Sequence, residues 1–260
     1  MEGPDEGRRL EEKTSPLNLR SQVEAAGPTP GMRVLDAGGG TGAVARVFSS
    51  RVGPMGEVVV MDRSAERLVE GERIALREGL ANVRFVLRDL RDPPIEEEDF
   101  DYVWCRFVLE YLPEPLSVLK NLSTYARIGG KVVVGDLDGN GVTHYPPHPI
   151  VDAGIALMLR CLAGSFDPYV GRKLVHLYHL AGLRLDAVHV FPYHVYSGVM
   201  GEADQRNWRQ KFSALRHRCV EAFGGDTQYD QFVEAFFEHV GSPGTFMYSS
   251  LVLTEGTRLA

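Results

Sequence analysis

The sequence predicts an α/β fold: one mostly parallel sheet with helices on both faces. Three observations predict it. From residue 31 onward, short apolar runs alternate with stretches of helical period, as in Val58-Val59-Val60-Met61 followed by residues 64–79. Such alternation builds a parallel sheet covered by helices. The runs are near-continuously apolar, as strands buried on both faces should be. The first of them, Val34-Leu35-Asp36-Ala37, leads into Gly38-Gly39-Gly40-Thr41-Gly42, a glycine-dense turn that opens a helix. Glycine there permits φ > 0 and lets a ligand lie directly on the main chain.

The elements follow in order. Pro16 suits the first turn of a helix over 15–27, which Gly27 ends. Pro28-Thr29-Pro30-Gly31 turns the chain into the first strand. A helix is expected over 41–51; Ser64 caps the next one and Gly79 ends it. The third strand spans 83–90 and the fourth 100–106. A helix over 114–127 carries Leu116, Leu119 and Leu122 on one stripe. After a fifth strand near Lys131–Val134, residues 136–141 and 145–149 read as loop. Helices are expected over 150–163 and 169–181, a sixth strand over 184–197, two helices within 203–240 and a last strand over 246–254. Residues 1–14 are polar and expected to be disordered.

Composition excludes several classes. The chain has 260 residues, enough for one large domain with an elaboration. Its net charge of −7 argues against a nucleic-acid binder, which shows a basic footprint. A local basic cluster, Arg206, Arg209, Lys211, Arg216, His217 and Arg218, has helical spacing and reads as a solvated face. The three cysteines form no zinc-type pair, so no metal is expected, and they suit a reducing compartment. No secretory h-region and no run of 18 apolar residues is visible. The expectation is a cytoplasmic protein without a membrane span.

Ligands of open α/β sheets bind at the carboxyl ends of the strands. That edge carries Asp36, Asp62, Asp89, Arg106 and Asp136. The glycine turn alone is open to three readings. Gly38-x-Gly40-x-x-Ala43 meets the relaxed dinucleotide fingerprint, which would make the chain an NAD-dependent oxidoreductase. Asp36-x-Gly38-x-Gly40-x-Gly42 meets a second nucleotide pattern. A β-to-α turn without any ligand is the third reading. Asp62, about 20 residues after the turn, can take both ribose hydroxyls in either nucleotide reading. Three acids at three successive strand ends are hard to explain as structure alone, because each buried carboxylate needs a partner.

Five ordered matches over residues 31–138 resemble the class I S-adenosylmethionine (SAM) dependent methyltransferases. They are the Asp36–Gly42 turn, Asp62, Asp89 at the end of the third strand, and two longer segments. Phe107-Val108-Leu109-Glu110-Tyr111-Leu112-Pro113-Glu114-Pro115 is similar to the family's RxVLEHLPDP. Ala126-Arg127-Ile128-Gly129-Gly130-Lys131-Val132-Val133-Val134 is similar to its RxLKPGGxLVV. The chain most resembles the subgroup of quinone-biosynthesis and small-molecule methyltransferases. Gly39 stands where the family often has Cys, a harmless departure; Tyr111 stands where it often has His, which leaves that position's role open.

The resemblance implies a Rossmann-like, seven-stranded, mostly parallel sheet with an antiparallel last strand. It implies a helical cap inserted after strand five and between strands six and seven. Residues 15–260 then form one domain, with a SAM-binding core over 31–138 and substrate-lid insertions over 139–168 and 198–240. SAM is the implied cofactor and S-adenosylhomocysteine (SAH) the product. The methionine half would lie over Gly38, Gly40 and Gly42, and Asp36 would organise the turn and the ammonium. Asp62 would hold the ribose and Asp89 the adenine amino group. Arg63, Leu90 and Arg106 complete the set, and Arg20 on the lead-in helix would reach the cofactor carboxylate. The implied reaction is methyl transfer to O, N or C of a small organic molecule, with a homodimer compatible. A SAM-binding protein without methyl transfer stays open as an alternative. The oxidoreductase reading leaves Asp89 and the Gly129-Gly130 turn unexplained.

A base helps when the acceptor is a hydroxyl, an amine or an acidic carbon. His144, Tyr145 and His148, in the loop after strand five, are the candidates; His194 and Tyr111 are further ones. Phe166, Tyr169, Phe191, Tyr193, Trp208, Phe212, Phe236 and Phe237 are spread over the expected cap, as core or as lining of an apolar pocket.

Overall fold

The computed structural model describes residues 16–92 and 99–260; the expectation for residues 1–14 lies outside them. A lead-in helix α1 (Pro16–Ala26) precedes β1 (Arg33–Ala37), α2 (Ala43–Val52), β2 (Glu57–Asp62), α3 (Ala65–Arg77), β3 (Val83–Leu87) and β4 (Phe100–Arg106). A 3₁₀ turn (Leu109–Tyr111), α4 (Pro115–Tyr125) and β5 (Ala126–Asp138) follow. Then come β6 (His144–Tyr145), α5 (Pro149–Leu162), α6 (Val170–Leu180), β7 (Leu183–Tyr196), α7 (Glu202–Cys219), α8 (Asp226–Val240) and β8 (Phe246–Arg258).

The sheet runs β3-β2-β1-β4-β5-β8, with β7 on the far side of β8. Neighbours from β3 to β5 pair in parallel, and β8 is antiparallel to both β5 and β7. These are the seven strands expected. The short β6 adds an eighth, pairing His144 and Tyr145 with Met247 and Phe246 at the start of β8. The order reverses between β1 and β4, which opens a crevice at the carboxyl ends of those strands.

Alternate residues of a strand face opposite sides. Leu35, Met61, Val103 and Cys105 therefore pack with Leu119, Leu122, Leu174 and Tyr178 of α4 and α6 on one face. Val34, Val58, Tyr102 and Trp104 pack with Leu19 and Phe48 of α1 and α2 on the other. Ser64 accepts from the Arg67 N–H as the cap of α3, and Gly79 sits just beyond its end at φ 70°. Helix α4 stops earlier than the sequence predicts. Ala126 already pairs with Phe100, and the register then jumps to Tyr102 opposite Lys131, so residues 127–130 bulge out with Gly129 at φ 75°.

A third core lies apart from the sheet. Met158 and Leu162 of α5, Trp208 and Phe212 of α7, and Phe232 and Phe236 of α8 form it. Phe212 meets Phe236 edge-on at 5.0 Å and Phe232 at 5.5 Å. Burying each such ring contributes roughly 1.5–3 kcal/mol. No helix among the described residues is long and apolar enough to cross a membrane.

Candidate active site

A polar cleft of about 380 Å³ opens at the switch point. The turn after β1 passes through Gly38, Gly40 and Gly42 at φ 73°, 58° and 75°, a region that costs an ordinary L-residue about 1–2 kcal/mol. A Cβ on Gly38 would lie 2.5 Å from Val108 Cγ2. One on Gly39 would lie 2.7 Å from Asp36 Oδ2, so the departure at this position is a packing requirement here. Gly42 caps α2 without a side-chain hydrogen bond. The first amides of that helix carry partial positive charge beside the cleft.

Asp36 is buried beneath the turn, and its Oδ2 has no hydrogen-bond partner. Burial pushes its carboxyl up to about 7; the Arg106 guanidinium and the Ala45 N–H pull the other way, and Asp62 adds to the rise. An orphaned, buried carboxylate oxygen in a cleft fits a cationic donor such as an ammonium. Asp62 is held from below: Oδ2 accepts the Gly40 N–H at 2.9 Å and Oδ1 the Ser64 N–H at 2.9 Å. A carboxylate has about four acceptor sites, so both oxygens retain capacity for a diol. Arg63 and Leu90 also line the cleft.

Asp89 lines the cleft in the grip of Arg91. The Arg91 side chain donates to both carboxylate oxygens at 2.5–3.1 Å and its N–H to Oδ1 at 3.0 Å. These bonds hold the Asp89 carboxyl down at about 2. It stays ionised as an acceptor, and a base amino group would share it with Arg91.

Arg106 lies at the cleft end of β4, its guanidinium 4.5 Å over the Phe107 ring and bonded to Gln22 Oε1 at 2.9 Å. Gln22 on α1 thus reaches a residue of the cleft wall. Arg20 does not: its side chain is 74% exposed and paired with Glu24. Two positions along a helix amount to a turn of about 200°, so the two residues point oppositely and the expectation for Arg20 is corrected.

Sequence reading placed Asp136 at the strand edge and Phe107 and Glu110 in a family segment, but gave none of the three a part in the site. Phe107, at φ 59°, is the non-glycine residue with positive φ among the described residues, and it lines the cleft against Tyr193. Asp136, fully buried at the end of β5, accepts the Leu109 N–H at 2.8 Å and the Glu110 N–H at 3.3 Å. Burial and the neighbouring Glu110 carboxylate raise it well above the usual range. Glu110 is itself buried and accepts from Asn140 Nδ2 at 3.1 Å. The Leu109–Tyr111 turn that carries Glu110 was visible only as part of a family segment.

Beside the cleft lies a second cavity, of about 120 Å³, walled mainly by Met158, Phe166, Trp208, Phe212, Phe232 and Phe236. It shares Tyr111, Ser165 and Arg218 with the cleft. Four of the cap aromatics expected from sequence therefore line an apolar space; Tyr193 instead packs on Phe107.

The proposed bases are elsewhere. His144 and Tyr145 belong to β6, and Tyr145 is 69% exposed. His144 Nδ1 meets His239 Nε2 at 3.0 Å and its Nε2 meets Asp152 at 2.9 Å. His148 caps α5 by accepting the Val151 N–H. None of the three lines the cleft or the cavity. Pairing with β8 and capping α5 turn them into a structural cluster. His194 is likewise buried on β7, bonded to Ser249.

A glycine cradle, a buried orphan carboxylate and a second acid at the next strand end define a nucleoside-cofactor site of the doubly wound α/β class. The chain belongs to the methyltransferase-domain family, whose model matches residues 28–162. SAM is the cofactor of this class, and the oxidoreductase reading falls. The ubiquinone/menaquinone biosynthesis C-methyltransferase UbiE of Ectopseudomonas mendocina is 38% identical over 158 residues, 60% of this chain and 58% of that protein. The match thus spans less than two thirds of that relative. A Bacillus halodurans protein assigned as a methyltransferase superposes with a TM-score of 0.64 at 18% identity, covering 94% of this chain and all of its own. A SAM-dependent methyltransferase from Aquifex aeolicus gives 0.54 at 20% identity, covering 70% and 90%. At these identities the two structures speak for the fold.

Proposed function

We propose that the chain transfers the methyl group of SAM to C, N or O of a small organic acceptor seated in the cap cavity. The observation that carries this is the junction of the two spaces: Tyr111, Ser165 and Arg218 line the polar cleft and the apolar cavity at once. The relatives named for C-methylation in quinone biosynthesis make carbon the first acceptor atom to try. When bound, the cofactor supplies a methyl carbon already activated by the sulfonium charge. The protein's work is then to align and to exclude water, which is worth several kcal/mol.

Each residue has a part in this reading. Asp36 Oδ2 accepts from the ammonium, Asp62 from the ribose, and Asp89 from the adenine amino group. Gly38, Gly40 and Gly42 let the methionine half lie on the backbone. The cap aromatics keep the acceptor dry. With the histidines placed outside, Tyr111 takes over as the group that hydrogen-bonds and orients the acceptor.

Calorimetric titration with SAH, with NAD as control, tests the cofactor half; binding of SAH and not NAD is the expected result. Release of SAH from SAM in the presence of a hydroquinone panel tests the transfer half. Tyr111→Phe should lower kcat by about 100-fold with unchanged SAH affinity. An unchanged kcat would remove Tyr111 from the chemistry, and binding of NAD alone would overturn the whole reading.

A further inference from the structure

We propose that His144, His148 and His239, with Asp152, form an acid-released clamp. At neutral pH it fastens the first turn of α5 and the last turn of α8 to β6, and below about pH 6 it lets them go. The clamp itself needs neither cofactor nor acceptor. Its bearing on the acceptor rests on the reading of the cap cavity given above.

Three elements meet at this point. His144 belongs to β6, His148 caps α5, Asp152 lies in the first turn of that helix, and His239 lies in the last turn of α8. Asp152 Oδ1 accepts from His144 Nε2 at 2.9 Å, and Asp152 Oδ2 accepts the His148 backbone N–H at 3.0 Å. His144 Nδ1 faces His239 Nε2 at 3.0 Å and the Pro146 carbonyl at 3.3 Å. The His148 and His239 rings lie 5.1 Å apart, and His148 Nδ1 accepts the Val151 N–H at 3.4 Å. The titratable groups that act on His239 are His144 of β6 and His148 and Asp152 of α5. Strand β8 places Met247 and Phe246 opposite β6, and neither carries charge.

These contacts limit how many protons the cluster holds. A charge on His144 is answered by Asp152. The nitrogens of His144 and His239 that face each other share one proton; with both rings charged, two N–H groups would meet with no acceptor between them. His148 caps α5 only through a bare nitrogen, and a helix N-terminus disfavours a positive charge. One charge therefore fits among the three rings, and each further proton breaks a bond that ties the cap down. His239 agrees with this count: burial, then the neighbouring His144 and His148, hold its imidazole below its ordinary value. A histidine lowered in this way stabilises the clamped form above the ordinary value, and that stabilisation is lost as pH falls. The clamp lies about one turn from the cavity on both helices. Ile155 is three residues past Asp152 and Phe236 three before His239, and both line the cavity. Release thus loosens two helices that wall the acceptor space.

The test is amide hydrogen exchange of the full chain without ligand, read by mass spectrometry at pH 7.5 and 5.5 and corrected for intrinsic rates. Exchange in residues 149–156 and 236–241, relative to β2, should rise about tenfold or more at pH 5.5, because each proton taken up on release shifts the equilibrium by up to tenfold per unit. His148→Asn keeps an uncharged cap acceptor, and His239→Gln keeps an uncharged N–H donor. The double variant should hold the ratio within about twofold between the two pH values. A flat ratio in the parent protein would overturn the proposal without any variant. A rise of parental size in the double variant would assign the acid response to other groups and overturn it too. If the double variant does not fold, each single variant should shrink the rise by about threefold or more, and an undiminished rise in both counts against the clamp. SAH plays no part in the experiment, so failure of the clamp and failure of the methyltransferase reading are separable.

Discussion

The cleft and the cap cavity adjoin, but they are made by different means. The cleft is written in backbone: three left-handed glycines, a helix start without a side-chain cap, and acids placed by strand ends. Of its acids, Asp62 is held by the Gly40 and Ser64 amides and Asp89 by Arg91. The cavity is written in side chains from three helices, α5 and the distant pair α7 and α8. A backbone-built site needs particular residues at fixed spacing. A side-chain-built site needs only enough apolar volume, which many sequences supply.

The sharpest way to separate the two regions is to damage the cap. Phe212→Ala should cost about 3–5 kcal/mol of stability, seen as a lowered midpoint in urea, because Phe212 contacts Trp208, Phe232, Phe236 and Phe237. SAH affinity measured below the transition should stay within about twofold of the parent. A collapse of SAH binding would show that the cleft depends on the cap. The complementary damage is Gly40→Val. A β-branched residue at φ 58° is strained, and the added atoms occupy the cofactor's path. SAH affinity should fall by about 100-fold or more, roughly 3 kcal/mol, with the circular dichroism spectrum retained.

Asp62→Ala should weaken SAH by about 1–3 kcal/mol, the cost of stranding hydrogen-bond partners, measured by calorimetry; unchanged affinity would remove Asp62 from the ribose role. A smaller effect follows from Asp36. Its apo carboxyl is raised to about 7 by burial, whereas a bound ammonium favours the ionised form. Binding therefore releases a proton below that pH. Affinity should be flat above about 7 and fall as pH drops through it, by at most about tenfold per unit. Asp36→Asn should bind more weakly and lose this dependence, and a pH-independent parent would contradict the ammonium contact.

Legibility in the sequence followed the same divide. Alternating buried runs and capped helices named the sheet, and glycine spacing with strand-end acids named the cleft, because both depend on local backbone geometry. The failures were all matters of direction. Arg20 and Gln22 are two residues apart, and only the packing of α1 against the sheet shows that Gln22 faces Arg106. His144 and His148 read as loop bases until pairing with β8 and the cap of α5 claimed them. Lys211 and Arg218 read as two members of a solvated cluster until the fold of the cap turned one face of α7 inward.

The sequence by itself determined the class of sheet, the position of the glycine turn and the acids beside it, since each rests on short-range rules of φ, burial and hydrogen bonding. The tertiary structure decided which side of each cap helix is the inside. That choice is made by long-range packing of Phe212, Phe232 and Phe236, and it alone converts two lysine- and arginine-type charges of an ordinary helix into the wall of a cavity.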